Sequence, residues 1–215
     1  MSSYLLAQIV LQLLICILQT GIILLVCGYA GVHIPEKGII FSKGIVDIGI
    51  TLFIITFSSD MMALMISCLV HNTTTAMTLM PFLLIFQLIF SGAYFELPRA
   101  AMTITFFSIS KWGVIGLCSI GQYNSQPMVT LWNTLFKFRN IEYMGRKPLL
   151  EIIQGMEKEN RVNDFLLWSA EYNQNQLYVS DALNVWITWV AMLLLALVFV
   201  IISIISLESI DKDSR

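Results

Sequence analysis

The sequence predicts an all-α integral membrane protein: four transmembrane helices, with a large external cap before the last span. Three observations carry that prediction. Of the 215 residues, 57% are hydrophobic and only 12% charged, about half the charged share of a soluble domain. The charges are segregated, with no Asp, Glu, Lys or Arg from Met1 to Pro35, from Met61 to Phe95, or from Ala182 to Leu207. Each interval exceeds the ~20 apolar residues that a helix needs to cross a hydrocarbon core of about 30 Å.

The segments divide as residues 1–95 with three spans (about 4–29, 45–70 and 76–95), residues 96–181 as an external loop with re-entrant or interfacial helices, and residues 182–215 as the last span and a short tail. The first run lacks a basic leader and is too long for a signal-peptide core, so it reads as a retained span. Within it Gln8, Gln12 and Gln19 recur at four and seven residues, which places them on one helical face. An amide in lipid needs a partner, so that face is expected to turn toward other helices.

Gly31, Pro35, Gly38 and two lysines mark the turn into the second span. That span carries Asp47 near its start and Asp60 about halfway along, in a polar shoulder, Thr56-Phe57-Ser58-Ser59-Asp60. An intramembrane carboxylate is a functional candidate by default. The alternative is a structural acid, hydrogen-bonded to Ser or Thr hydroxyls at a helix interface or protonated.

The short turn His71 to Thr75 predicts an antiparallel hairpin between the second and third spans. Asn72-Thr73-Thr74 matches a glycosylation sequon, and the threonines are candidates to cap the third span. Pro81 predicts a kink there, because proline removes one backbone hydrogen bond and clashes with the preceding turn. Pro81, Ile85, Leu88 and Gly92 fall at i, i+4, i+7 and i+11, which is one stripe. Gln87 sits one position off it, as a polar anchor between helices.

From Glu96 to Asp181 eight Lys/Arg and eight Asp/Glu are interspersed with Trp112, Trp132, Trp168 and several tyrosines. This is too long for a turn and reads as a small cap on the membrane. Met102 to Gly121 is amphipathic and aromatic, as interfacial helices are. Arg146 to Leu167 offers a second helix with Leu150, Ile153 and Met156 on one face. Trp186 and Trp189 are expected to anchor the start of the last span at the interface.

Chemistry is scarce. The chain has no P-loop, HExxH or GxSxG pattern. It has only two histidines, His33 and His71, at opposite ends of the second span, and no CxxC among its four cysteines. Asp47 and Asp60 lie roughly 20 Å apart along one helix, too far to share a proton as a catalytic pair. The net charge of −2 with no basic stripe gives no sign of a nucleic-acid partner. No catalytic residue, cofactor or metal site is expected within the chain, and no enzyme activity from the chain by itself.

Several motifs in one register resemble the membrane domain of ABC-2-type transporters, especially the G (White-type) subfamily. Leu88-Ile89-Phe90-Ser91-Gly92, followed by Phe107-Ser108-Ile109-Ser110-Lys111-Trp112-Gly113, is similar to that family's fifth span and the segment re-entering the outer leaflet. Ser59-Asp60-Met61-Met62-Ala63-Leu64 resembles a stretch of its fourth span, and Ser3-Tyr4-Leu5-Leu6-Ala7 the start of its third. The resemblance implies that the chain is the C-terminal part of such a domain, holding its third to sixth spans. Both termini would be cytoplasmic, the cap external, and the location the plasma membrane.

It further implies a permease function in an ATP-driven exporter, with Pro81, Ile85 and Leu88 lining the substrate pathway at a two-fold interface. Gly92 and Tyr94 would stand at its outer gate; Ala93-Tyr94 replaces the family's leucine pair. The implied partners are the lipid bilayer, a second membrane domain in a homodimer or heterodimer, and an ABC nucleotide-binding domain that binds ATP-Mg. The family carries a coupling helix, two spans and an ATPase domain ahead of this region, which implies a fragment, a split-gene product or a remnant that assembles with other chains. The competing reading is a free-standing multi-pass assembly or sensor protein without transport activity.

Overall fold

The computed structural model describes residues 2–32, 34–70, 72–92, 102–124, 138–142, 145–159, 161–164 and 175–213, without the side chains of residues 2–5, 73 and 208–213. Its principal helices are α1 (Ser2–Tyr29), α2 (Gly44–Leu69), α3 (Thr73–Ile89), α4 (Met102–Thr105), α5 (Ile109–Ile120), α6 (Pro148–Lys158) and α7 (Ala182–Asp213). Among the described residues three segments are long and apolar enough to cross a membrane: Leu6–Tyr29, Gly44–Leu69 and Ala182–Leu207. A helix satisfies its backbone groups internally, which is what a chain this apolar requires in lipid. The 17 residues of α3 reach only about 25 Å at 1.5 Å per residue, short of the hydrocarbon thickness.

The centre of the bundle is α2 against α7. Trp189 Nε1–H donates to Thr51 Oγ1 (2.8 Å), Ser58 Oγ–H to the Met192 carbonyl (3.1 Å), and Ser206 Oγ–H to the Cys68 carbonyl (2.8 Å). The sequence offsets of these pairs are nearly constant, at 138, 134 and 138, so α2 and α7 run parallel. Ile54, Val185, Trp189 and Met192 pack beside this seam, and Ile109 and Ile120 join them from α5. Trp189 is therefore a core residue, 4% exposed, whereas Trp186 is 53% exposed. The expected pair of interface anchors is split because the Trp189 indole N–H finds a buried hydroxyl.

α1 packs on α2 in the opposite direction: Cys16 meets Asp60, and a side chain at Gly49 would meet Leu24. Gln8 and Gln12 face α2, together with Cys16 and the buried Thr20. Gln19 is exposed instead, which corrects the expectation of one three-glutamine face. The contact line follows an i, i+4 ridge, which drifts around the helix, so position 20 and not 19 lies on it.

The turn between α1 and α2 is held by an acid. Asp47 Oδ2 accepts from the backbone N–H of Ile39 (2.6 Å) and Ile40 (3.0 Å), and Oδ1 from Phe41 (3.1 Å). Gly38 and Gly44 permit the clasp, because a side chain at either would collide with the loop backbone, and at Gly38 with the Asp47 carboxylate too. At the next turn the N-cap position falls on no threonine. Asn72 holds the N-cap position of α3 and makes no side-chain capping bond.

α5 packs lengthwise against both long helices of the central seam. It runs antiparallel to α2 and α7, with Gly113 against Ile55, Gly116 against Thr51 and Thr188, and Ser119 against Asn184. Glycine at 113 and 116 lets the backbone approach its neighbours closely, as small residues do in membrane helix packing. Where α5 ends, Asn184 Nδ2–H donates to Ser119 Oγ (2.9 Å) and to the Leu177 and Val179 carbonyls, and Ser180 Oγ–H donates to the Ser119 carbonyl. Asn124 ties the same end to Asn175 and Tyr178. Tyr178 stacks edge-on to Tyr123, and burial, with smaller contributions from Cys118 and Tyr123, raises its phenol pKa. In α6, Ile153 is buried while Leu150 and Met156 are half-buried.

Candidate functional site

The candidate pathway stripe takes its orientation from Gln87. This amide is 7% exposed and turned toward α5. Its Oε1 accepts from Ser108 Oγ–H (2.8 Å) and from the Ser110 backbone N–H (3.1 Å), and its Nε2–H points to Met62 Sδ (3.6 Å). Ser108 is also the N-cap of α5, accepting from the Lys111 N–H. One side chain of α3 thus supplies an acceptor to the first turn of α5, whose N–H groups have no partner within their own helix.

With Gln87 directed inward, helical geometry turns the stripe outward. Ile85 is 55% and Leu88 51% exposed, and Pro81 and Gly92 are exposed as well. Pro81, Ile85 and Leu88 thus lie exposed on α3, as Phe82 and Leu84 beside them do, and Gly92 follows beyond the end of the helix. Gly92 takes φ +71°, a left-handed conformation that glycine adopts without cost, and the chain leaves α3 there. Tyr94 lies outside the described residues, as do Ala93 and the Pro98-Arg99 boundary.

Asp60 is not part of that face. It lies on the far side of α2 from the Thr51–Trp189 seam, half-buried against α1, where the Cys16 thiol donates to its Oδ2 (3.1 Å). The hydroxyls proposed as its structural partners go elsewhere: Ser59 and Thr56 donate to carbonyls of their own helix, as short polar side chains in membrane helices do. Beside Asp60 a cleft of about 200 Å³ opens between α1 and α2, lined by Gln8, Gln12, Asp60, Ala63, Leu64 and Ser67. Among the described residues no group of three or more His, Cys, Asp or Glu is placed to hold a metal.

The roles of Asp47, Ser108, Cys16 and Asn184 in this arrangement escaped the sequence reading. Two of them carried a local signal: Ser108 as a serine directly before an apolar amphipathic run, and Asp47 as an acid in the first turn of α2. Cys16 and Asn184 act through contacts that sequence spacing does not encode.

Apolar spans with polar side chains turned inward define an integral membrane protein with several membrane-spanning helices. The model of the ABC-2 type transporter family matches residues 1–120, which covers α1 to α5 and more than half of the chain. The protein belongs to that family. No curated protein and no solved structure matches it.

Proposed function

We propose that the chain is the membrane-spanning, permease portion of an ATP-driven exporter of the plasma membrane. It forms part of the substrate pathway and performs no covalent chemistry itself. A nucleotide-binding domain, on another chain or another part of the same protein, binds ATP-Mg and supplies the energy. A second membrane domain completes the pathway, as a homodimer or heterodimer. By the resemblance of its motifs we assign the chain to the G-type subfamily, with this chain holding the third to sixth spans and residues 96–181 outside the cell.

The observation that carries this reading is the exposed stripe of α3 within the family-matched region. Pro81, Ile85 and Leu88 form an apolar face that no other described helix covers, while Gln87 fixes the opposite face. Topology supports a fourth crossing as well. Because α2 and α7 run parallel, two crossings in the same direction require a return between Leu69 and Ala182, and we assign that return to the apolar α3. In that arrangement α5 re-enters from outside and Gly92 marks the outer end of the pathway.

The test is Leu88→Arg in the complex reconstituted with its ATPase. A cation on the pathway face changes substrate-stimulated ATP hydrolysis while basal hydrolysis persists. Unchanged stimulation removes the stripe from the pathway.

A further inference from the structure

We propose that the cleft between α1 and α2 is a binding site for a small primary alkylammonium ion, held by Asp60. The inference does not depend on the transport reading. Its groups are nearly all acceptors or amides still without partners. Among the described residues the Asp60 carboxylate receives a single hydrogen bond, from the Cys16 thiol, and a thiol is a weak donor. Among the described residues the side chains of Gln8 and Gln12 bond to nothing in the chain, although both line the cleft with Asp60 and Ser67. No Lys, Arg or His occurs in α1, in α2, or in α7 up to Leu207, so these spans supply no counter-ion. A carboxylate at membrane depth is costly until it is paired or hydrated.

The occupant must therefore bring positive charge and several donors. A primary ammonium brings three N–H donors, which suits one carboxylate and the two amide oxygens. Ala63 and Leu64 give its alkyl part an apolar wall. A metal ion fits poorly, because Asp60 is the one ionisable side chain among the lining residues and no group of three or more His, Cys, Asp or Glu is placed to hold a metal among the described residues. The cleft extends toward the start of α1 and the end of α2, since Gln8 and Ser67 line it and the helices are antiparallel. A ligand thus enters from that side of the bilayer.

The test uses the full chain in lipid nanodiscs, with Cys27, Cys68 and Cys118 replaced by alanine and the fully buried Cys16 retained. Ser67→Cys places a thiol in the cleft, about 10 Å along the helix from Asp60. Leu69→Cys, on another face of α2, is the control. Labelling rates with a cationic and an anionic methanethiosulfonate are each normalised to the control. The expected result is about a tenfold preference for the cationic reagent, collapsing toward unity in Asp60→Asn. Ethylammonium chloride is expected to slow labelling at Ser67→Cys, while tetrabutylammonium, too large for the cleft, does not at equal ionic strength. Equal normalised rates for both reagents, or equal effects of the two ammonium ions, overturn the proposal. The ammonium size comparison is read with Asp60 intact, so it decides even if Asp60→Asn fails to fold.

Discussion

Replacing Asp47 by asparagine should destabilise the protein more than any other isosteric change in α2. The carboxylate is fully buried and accepts three backbone N–H bonds, two at Oδ2 and one at Oδ1. Hydrogen bonds to a charged group contribute about 1.5–3 kcal/mol each. Asparagine keeps one oxygen, which is best placed at the Oδ2 site, where it retains two neutral bonds. Its NH2 group then faces the Phe41 N–H, donor against donor. Losing the charge on two bonds and the third bond altogether costs about 2–4 kcal/mol, and Asp47→Ala, which strands all three N–H groups, costs more. Reversible unfolding in mixed micelles reads the difference, and proteolysis between Glu36 and Lys43 reports loosening of the loop. An Asp47→Asn protein within about 0.5 kcal/mol of the parent would refute the reasoning, because the clasp would then carry no net stability.

Further substitutions probe the other contacts. Gln87→Leu removes the acceptor shared by Ser108 and Ser110 and should cost about 1–3 kcal/mol, given roughly 0.6–1.7 kcal/mol per interhelical bond in a membrane; the same unfolding assay measures it, and a cysteine pair across α3 and α5 should cross-link more slowly. Gly116→Val drives a branched side chain into Thr188 and Thr51, 3.1–3.3 Å from the position its Cβ would occupy, and should lower stability by about 1–3 kcal/mol. Trp189→Phe leaves Thr51 Oγ1 without its indole donor and should cost about 1 kcal/mol, visible as a lower midpoint of thermal unfolding in detergent. Trp186→Phe, at an exposed position with no hydrogen bond, should change that midpoint little.

The membrane class could be read from sequence because charge depletion over whole spans is a bulk property that no tertiary contact overrides. Helix faces were harder to read. Gln8, Gln12 and Gln19 share a face by spacing alone, yet the ridge against α2 drifts by one position and leaves Gln19 outside. Trp189 looked like an interface anchor because tryptophans favour that zone. Only the parallel placement of α2 and α7, a contact 138 residues apart, reveals Thr51 as its partner. Gln87 was legible as an anchor, since an amide within an apolar run needs a partner, but not what it anchors to. Asp60 shows the limit from the other side. Spacing suggested Ser and Thr hydroxyls as partners, but those bond to their own helix, and the contact is a cysteine of α1.

The most direct test of the central claim is ATP hydrolysis by the assembled complex. The full chain is isolated in native nanodiscs from its own membrane and assayed for ATP hydrolysis before and after depletion through a tag on this chain. The transporter reading predicts that a Walker A-containing ATPase, on the same protein or on a partner in fixed stoichiometry, purifies with this chain, that depletion removes the activity, and that Leu88→Arg alters its stimulation by substrate while basal turnover persists. A chain that purifies at constant stoichiometry without any nucleotide-hydrolysing partner, leaving the ATPase activity of the membrane intact, contradicts it.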